Sequence, residues 1–247
     1  MLNIVVPMAG RGSRFAVAGY EDPKPLIPVH DMRMIELVVQ NLTPTVPHRF
    51  IFICQAEHLH RYDLQPLLSA WAPGCEIVAL NEITEGAACT VLHAKDLIDN
   101  DDQMMIANSD QYVDCSIDDY LAKMGSSDGL IMTMTASDPK WSYVGFDSDG
   151  KICQVVEKEV ISSEATVGVY NYRRGAEFVA AAEAMITADD RVGGEFYVAP
   201  TYNYLVSNGA SIEIYNVGSE GSGMYGLGIP SDLEYFLNHS VSKIARR

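Results

Sequence analysis

Positive charge is what this chain has least of. Lys and Arg number 17 against 33 Asp and Glu, a formal net charge of −16. Nucleic acids and anionic membranes both require a positive footprint, so neither is an expected partner. Cysteine is sparse as well. The five (Cys54, Cys75, Cys89, Cys115 and Cys153) are odd in number and lack C-x-x-C spacing, which indicates neither a disulfide framework nor a zinc site. They read as buried or semi-buried thiols in a reducing compartment. The six histidines show no pairing with a nucleophile and read as structural or surface groups. No apolar run is long enough to span a bilayer, since Asn3 and Pro7 interrupt the first one. No charged-apolar-small leader is visible either, and the expected location is cytoplasmic.

What remains is ample core material, 48% hydrophobic over 247 residues. That suits one large α/β domain. Apolar runs of strand type at Leu2 to Val6, Phe50 to Cys54, Ile77 to Leu80 and Met104 to Ala107 alternate with helical patterns. Met34, Ile35, Val38, Val39 and Leu42 recur at near 3.6 spacing, and Gly86 to Ile98 predicts another helix. Such alternation implies βαβ units and a mainly parallel sheet. After Asp110 the pattern shifts to α+β. Strand runs at Leu130 to Ala136, Tyr143 to Phe146, Ile152 to Val156 and Thr166 to Tyr172 precede an Ala-rich helix from Gly175, and Ser231 reads as the cap of a last helix. The turn at Asp147 to Gly150 predicts a hairpin. No linker divides the chain, so the expected organisation is a single domain, 1–247, with halves 1–115 and 116–247.

The most informative segment follows the first strand. Between Pro7 and Pro28 the chain reads P-M-A-G-R-G-S-R-F-A-V-A-G-Y-E-D-P-K-P-L-I-P. Gly10 and Gly12 can take positive φ and let backbone N–H groups approach phosphate oxygens. Arg11 and Arg14 add guanidinium forks, and Lys24 adds a point charge between Pro23 and Pro25. In so acidic a chain, this clustering of cations points to a nucleoside triphosphate. It is no dinucleotide fingerprint, because Phe15 stands where the third glycine would be. Nor is it a Walker loop, since the lysine comes twelve residues after Gly12.

The pattern G-x-G-[ST]-R-[FL] followed by P-K-P-[LM] resembles the sugar-phosphate nucleotidyltransferase family, closest to small bacterial members that make precursors of surface polysaccharides. Four further segments extend the likeness: Asn81 to Thr90, Ala107 to Asp114, V-V-E-K-E at Val155 to Glu159 with Thr166 to Tyr170, and G-G-E-F-Y at Gly193 to Tyr197 with Met224 to Leu233. The resemblance implies a Rossmann-like core with a mostly parallel mixed sheet flanked by helices, plus a small α+β acceptor-binding part. The 1–115 half would bind NTP and the 116–247 half the acceptor. It implies nucleotide contacts from Met8, Ala9, Gly10, Arg11, Gly12, Ser13 and Arg14, base reading by Asn81 and Gly86, and Mg²⁺ held by Asp110. Glu157, Lys158, Gly168 and Glu195 are implied for the acceptor, with Arg14, Lys24, Asp110 and Lys158 as the catalytic set. The implied partners are an NTP and a small phosphorylated acceptor, with a homo-oligomer left open.

The chain departs from the family at three positions. Glu159 replaces a proline. In the D-x-G-T-P stretch, Gly226 replaces the aspartate that serves as second metal ligand and Ile229 replaces the threonine. Glu220, Asp114 and Glu157 are candidate substitutes for the missing acid. The missing acid also keeps a degenerate nucleotide-binding regulator in view. A nucleotide-sugar-dependent glycosyltransferase is the other alternative, although the one D-x-D, Asp147 to Asp149, falls in a predicted turn. A side chain as short as Asn81 suits a pyrimidine, and CTP is favoured over UTP or dTTP.

Overall fold

The computed structural model describes residues 1–10 and 12–245, so Arg11 lies outside the described residues. In chain order the strands are β1 (Leu2–Pro7), β2 (Pro28–Val29), β3 (Met32–Arg33), β4 (His48–Gln55), β5 (Glu76–Leu80), β6 (Gln103–Ala107), β7 (Gln111–Val113), β8 (Gly129–Thr135), β9 (Ser142–Phe146), β10 (Ile152–Glu157), β11 (Glu164–Tyr172), β12 (Ile212–Glu220) and β13 (Gly223–Gly226). β2 and β3 pair only with each other. The other eleven form one mixed sheet in the order β5-β4-β1-β6-β11-β8-β12-β13-β7, with β9 and β10 beside β11. The first-half strands β5, β4, β1 and β6 are mutually parallel, and β11 runs antiparallel between β6 and β8. The sheet therefore passes without a break from one half of the chain to the other.

Both faces of the sheet are covered, which is why its central strands read as continuous apolar runs. Ile4 and Val6 of β1 with Phe50, Phe52 and Cys54 of β4 pack into one core, together with Ile35, Val38, Val39 and Leu42 of the helix Met34–Leu42. Val5, Ile51, Ile53 and Ile106 face the other, against Phe178 and Ala182 of the helix Gly175–Thr187 and Tyr202 of Thr201–Ser207. A third, smaller core joins Phe15, Ile27, Tyr112, Tyr225, Leu227, Leu233 and Phe236. It fastens the glycine loop to the C-terminal helix Pro230–Asn238.

Several expectations needed correction. The helix predicted over Gly86 to Ile98 is two, Ala87–Leu92 and Lys95–Ile98. A tight turn through Ala94 buries that residue and Ile98, and a Cβ at Gly175 would lie 2.0 Å from the Ile98 carbonyl oxygen, so the helix Gly175–Thr187 abuts the second of the two. Pro230 rather than Ser231 starts the helix predicted at Ser231, its ring presetting φ for the first helical position, and a further short helix, Val241–Ile244, follows it. Cys153 is exposed. The Asp147 carboxylate accepts the Asp149 and Lys151 amides, both at 2.9 Å, so that acid shapes the β9–β10 turn. No helix among the described residues is long and apolar enough to cross a membrane.

Candidate active site

β1 delivers Met8 and Ala9, both buried, to the end of the sheet. From there Gln55, the last residue of β4, donates through Nε2 to the carbonyls of Ala9 (2.7 Å) and Gly10 (3.1 Å), pinning the loop from the neighbouring strand. Gly12 opens the helix Ser13–Val17 with φ 60. A Cβ there would press on Lys24 Cβ at 3.1 Å, so the glycine is required both by its left-handed backbone and by the approach of Lys24. The two ends of the motif thus meet. Gly10, by contrast, is not among the positive-φ residues, and a Cβ added to it would meet nothing within 4 Å. Its bare backbone faces open space. Ser13 and Arg14 are exposed on the short helix, while Phe15, which takes the place of a third glycine, is 1% exposed and anchors the helix in the third core.

Lys24 sits in a single 3-10 turn, Lys24–Leu26, and donates Nζ to Asp110 Oδ2 at 2.5 Å. Asp110 lies between β6 and β7, and its backbone carbonyl accepts the Leu227 amide at 2.8 Å. The strand end carrying the departures from the family lies directly against this carboxylate. A Cβ at Gly228 would stand 2.4 Å from Asp110 Oδ2, and one at Gly226 would stand 3.2 Å from Oδ2 of Asp232. Sequence reasoning missed Asp232. It comes from the first turn of the helix Pro230–Asn238 and, with Glu220, Tyr225 and Tyr235, surrounds a cleft of about 390 Å³ next to Gly226. Burial and the Glu220 charge push its pKa up, while Lys140, Ser231 and Arg14 oppose them.

Of the three substitutes proposed for the absent acid, Glu220 is engaged by Lys140 Nζ at 3.0 and 3.2 Å. Glu157 belongs to a different cavity, and Asp114 is exposed beyond β7. Among the described residues, no group of three or more His, Cys, Asp or Glu is placed to hold a metal by itself. The donors fit Mg²⁺ nonetheless. That ion is held by one or two carboxylates and completes its shell with substrate phosphates and water. Gly226 and Gly228 leave room for the Asp232 and Asp110 carboxylates that a Cβ would crowd.

Beyond the end of β6 lies a cavity of about 270 Å³ whose lining includes Asn108, Lys140, Trp141, Glu157, Tyr170 and Tyr197. β11 is bulged here, with a register shift between Thr166 and Tyr170. Gly168, at φ 83, lies at the bulge, and a Cβ on it would overlap the Asn108 amide, 2.0 Å from Nδ2. Bulges beside functional sites re-aim side chains, and this one opens the strand to Asn108. Gly168→Ala is expected to cost about 1–2 kcal/mol from the left-handed backbone. It should reduce use of whatever fills the cavity by at least about tenfold as Asn108 is displaced. Urea unfolding and steady-state kinetics measure the two effects separately.

Glu157 accepts a short hydrogen bond from Ser142, its cross-strand partner, and burial raises its pKa against the opposing effects of Ser142 and Lys158. Lys158 is exposed, at φ 60, with Nζ donating to the Tyr197 hydroxyl at 2.6 Å and lying 4.7 Å from the centre of that ring. A proline at 159 would push residue 158 toward extended backbone, so Glu159 leaves the lysine free to take its left-handed turn. Glu195 is exposed two residues before Tyr197.

Asn81 is exposed and lines a cleft of about 530 Å³ with Thr84, Glu85, Cys89 and His93. Gly86, at φ 134, has a structural reason to be glycine, because a Cβ would lie 2.3 Å from the Phe196 carbonyl oxygen. That close approach carries two backbone bonds, Phe196 N to Glu85 O (2.8 Å) and Ala88 N to Phe196 O (3.1 Å). They tie the G-G-E-F-Y segment to the Asn81 loop.

Comparison with known proteins identifies the family. The Nucleotidyl transferase family model matches residues 4–193, and the chain belongs to that family. The bifunctional protein GlmU of Methanococcus maripaludis is 22% identical over 254 residues, covering 99% of this chain and 56% of that protein, so the chain spans little more than half its relative's length. Among solved structures, a nucleoside-diphosphate-sugar pyrophosphorylase from Vibrio cholerae RC9 superposes with a TM-score of 0.82 at 25% identity, over 96% of this chain and 100% of that one. A putative glucose-1-phosphate thymidylyltransferase from Bacillus anthracis gives 0.76 at 19%, over 100% and 96% of the two chains. The inositol-1-phosphate CTP transferase of T. maritima gives 0.72 at 14%, over 99% and 94%. The fold is the Rossmann-like nucleotidyltransferase fold.

Proposed function

We propose that the protein joins an NTP to a small phosphorylated acceptor, releasing pyrophosphate, and that it supplies activated precursors of surface polysaccharides. The observation that carries this reading is the convergence of Gly12, Lys24 and Asp110 at the end of the sheet, beside a cavity of about 270 Å³ containing Glu157. That cavity suits a sugar 1-phosphate or a phosphorylated non-sugar of similar size, as the names of the similar structures suggest.

An acceptor phosphate oxygen attacks the α-phosphorus of the NTP. The bond to the β-phosphate bridging oxygen breaks, and pyrophosphate leaves. The acceptor phosphate is already ionised at neutral pH, so no general base is required, and positioning with charge neutralisation carries the rate. Arg11, Arg14 and the amides of Met8 to Ser13 grip the triphosphate, and Lys24 neutralises charge at the reacting phosphates. Asp110 is the residue that would hold Mg²⁺, which when bound supplies further charge neutralisation. Lys158, Glu157, Gly168 and Glu195 form the acceptor side.

CTP is the favoured nucleotide, ahead of UTP and dTTP. The short Asn81 side chain, exposed at its own cleft, suits the donor and acceptor edge of a pyrimidine. Asn81→Ala is therefore expected to relax discrimination among NTPs more than it slows the best one, because the lost amide penalises the matching base edge. An unchanged NTP preference would confine Asn81 to structure. The reading as a whole is tested by four NTPs against a panel of phosphorylated acceptors with pyrophosphate as readout. NDP release from a nucleotide sugar would favour a glycosyltransferase, and NTP binding without any turnover a regulator.

A further inference from the structure

The cavity beside Asn108 needs a cation for a phosphorylated occupant. A dianion entering it meets the Glu157 carboxylate inside a protein of net charge −16. Lys158 is an indirect source of that charge, since its ammonium is donated to the Tyr197 hydroxyl on the exposed rim and the residue is not part of the lining. Lys140 is the one cationic side chain among the described lining residues. It immediately precedes Trp141, at the end of the β9–β10 hairpin where the Trp141 carbonyl accepts the Lys158 amide at 3.0 Å. The two lysines therefore flank the same opening.

The surroundings of Lys140 are those of a cation held in readiness. Its ammonium lies 4.8 Å from the centre of the Trp141 ring and donates to both oxygens of Glu220 at 3.0 and 3.2 Å. Glu220 borders the neighbouring cleft with Gly226 and Asp232, so the ammonium stands between that cleft and the acceptor cavity. The Lys140 and Glu220 side chains are 47% and 44% exposed, and ion pairs this open are weak and easily exchanged. A phosphate dianion offers a stronger, charge-assisted partner. Independently, Trp141 Nε1 is buried with no hydrogen-bond partner among the described residues, a donor left over in a residue that lines the cavity. Buried donors of this kind call for an acceptor.

We propose that Lys140 and the Trp141 indole N–H form the phosphate-binding end of the acceptor cavity, with Glu220 as the counter-ion that holds Lys140 until the acceptor's phosphate displaces it. The assignment rests on the reading of the acceptor as a phosphate ester and deepens it.

The test uses the full chain with Trp71→Phe, so that Trp141 is the remaining fluorophore, and inorganic phosphate as the probe. A saturable fluorescence change is expected. Lys140→Met, which keeps the aliphatic stem, should weaken it at least about tenfold, whereas Glu220→Gln should tighten it several-fold by removing the closer of the two carboxylates paired with the ammonium, Asp138 remaining at 3.8 Å. A purely structural ion pair would move both variants the same way. In turnover, Lys140→Met should raise the acceptor KM at least about tenfold with the NTP KM within about twofold of the parent. The proposal is overturned by a parent that shows no phosphate-dependent change, by Lys140→Met binding phosphate like the parent, or by Glu220→Gln weakening binding alongside it. Failure of the functional reading looks different. The parent would then release no pyrophosphate with any NTP and acceptor, while Lys140-dependent phosphate binding persisted.

Discussion

Lys24→Ala is expected to lower kcat/KM at least about 10²-fold with the fold intact. The ammonium is held for its task by geometry that the sequence encodes twice. Pro23 and Pro25 restrict the backbone around it, and Gly12 leaves it room, since a Cβ there would stand 3.1 Å from Lys24 Cβ. A cation placed in advance at a reacting phosphate is worth a few kcal/mol, because no reorganisation is needed when charge develops. Its pair with Asp110 is mostly buried, the side chains 25% and 23% exposed, so removing the ammonium leaves the Asp110 carboxylate unpaired and costs some stability as well. The loss of activity at the reacting phosphates should still exceed that cost. Arg14→Ala is expected to have a similar kinetic effect from the other side of the loop. Steady-state kinetics with urea unfolding on both variants is the measurement, and near-parental activity in both would remove this loop from the active site.

The contrast between what the sequence reveals and what it hides follows from the range of the interactions. The strands were legible because period-two burial on both faces leaves unbroken apolar runs, as at Phe50 to Cys54, whose side chains alternate between two cores. The loop was legible because its glycines, prolines and cations are contiguous in sequence. Pairings made by topology were not legible. Nothing local announces that Lys140 reaches Glu220 across eighty residues, or that Trp141 is left with an unpartnered N–H. The same holds for the end of the helix predicted from Gly86 to Ile98, where Gly175 packs against the Ile98 carbonyl from seventy-seven residues away. Asp232 was hidden for a related reason. It sits in an ordinary helix first turn, where acids are common, and only the folded chain brings its carboxylate to the space a side chain at 226 would enter.

Asp110→Asn should abolish turnover, a loss of at least about 10³-fold, while leaving the fold and most NTP affinity in place. The substitution keeps the shape of the side chain and an oxygen able to accept from Lys24, so the contacts at Gly228 and the Leu227 amide need not change. What disappears is the negative charge and the hard anionic donor that Mg²⁺ requires. On the proposed reading NTP affinity survives because the loop amides and Arg14 would still bind the phosphates, whereas the chemical step would lose the group that fixes the charge balance at the α-phosphate. Gly226 adds a quantitative expectation. With the usual second aspartate absent from the strand, the parent should depend absolutely on a divalent cation yet require more Mg²⁺ for half-maximal rate than a site with two strand-borne carboxylates. Activity measured against Mg²⁺ concentration for both proteins, with NTP binding by calorimetry alongside, decides the matter. Metal-independent turnover by the parent, or ordinary activity in Asp110→Asn, would reduce this acid to a partner of Lys24 in an otherwise structural loop.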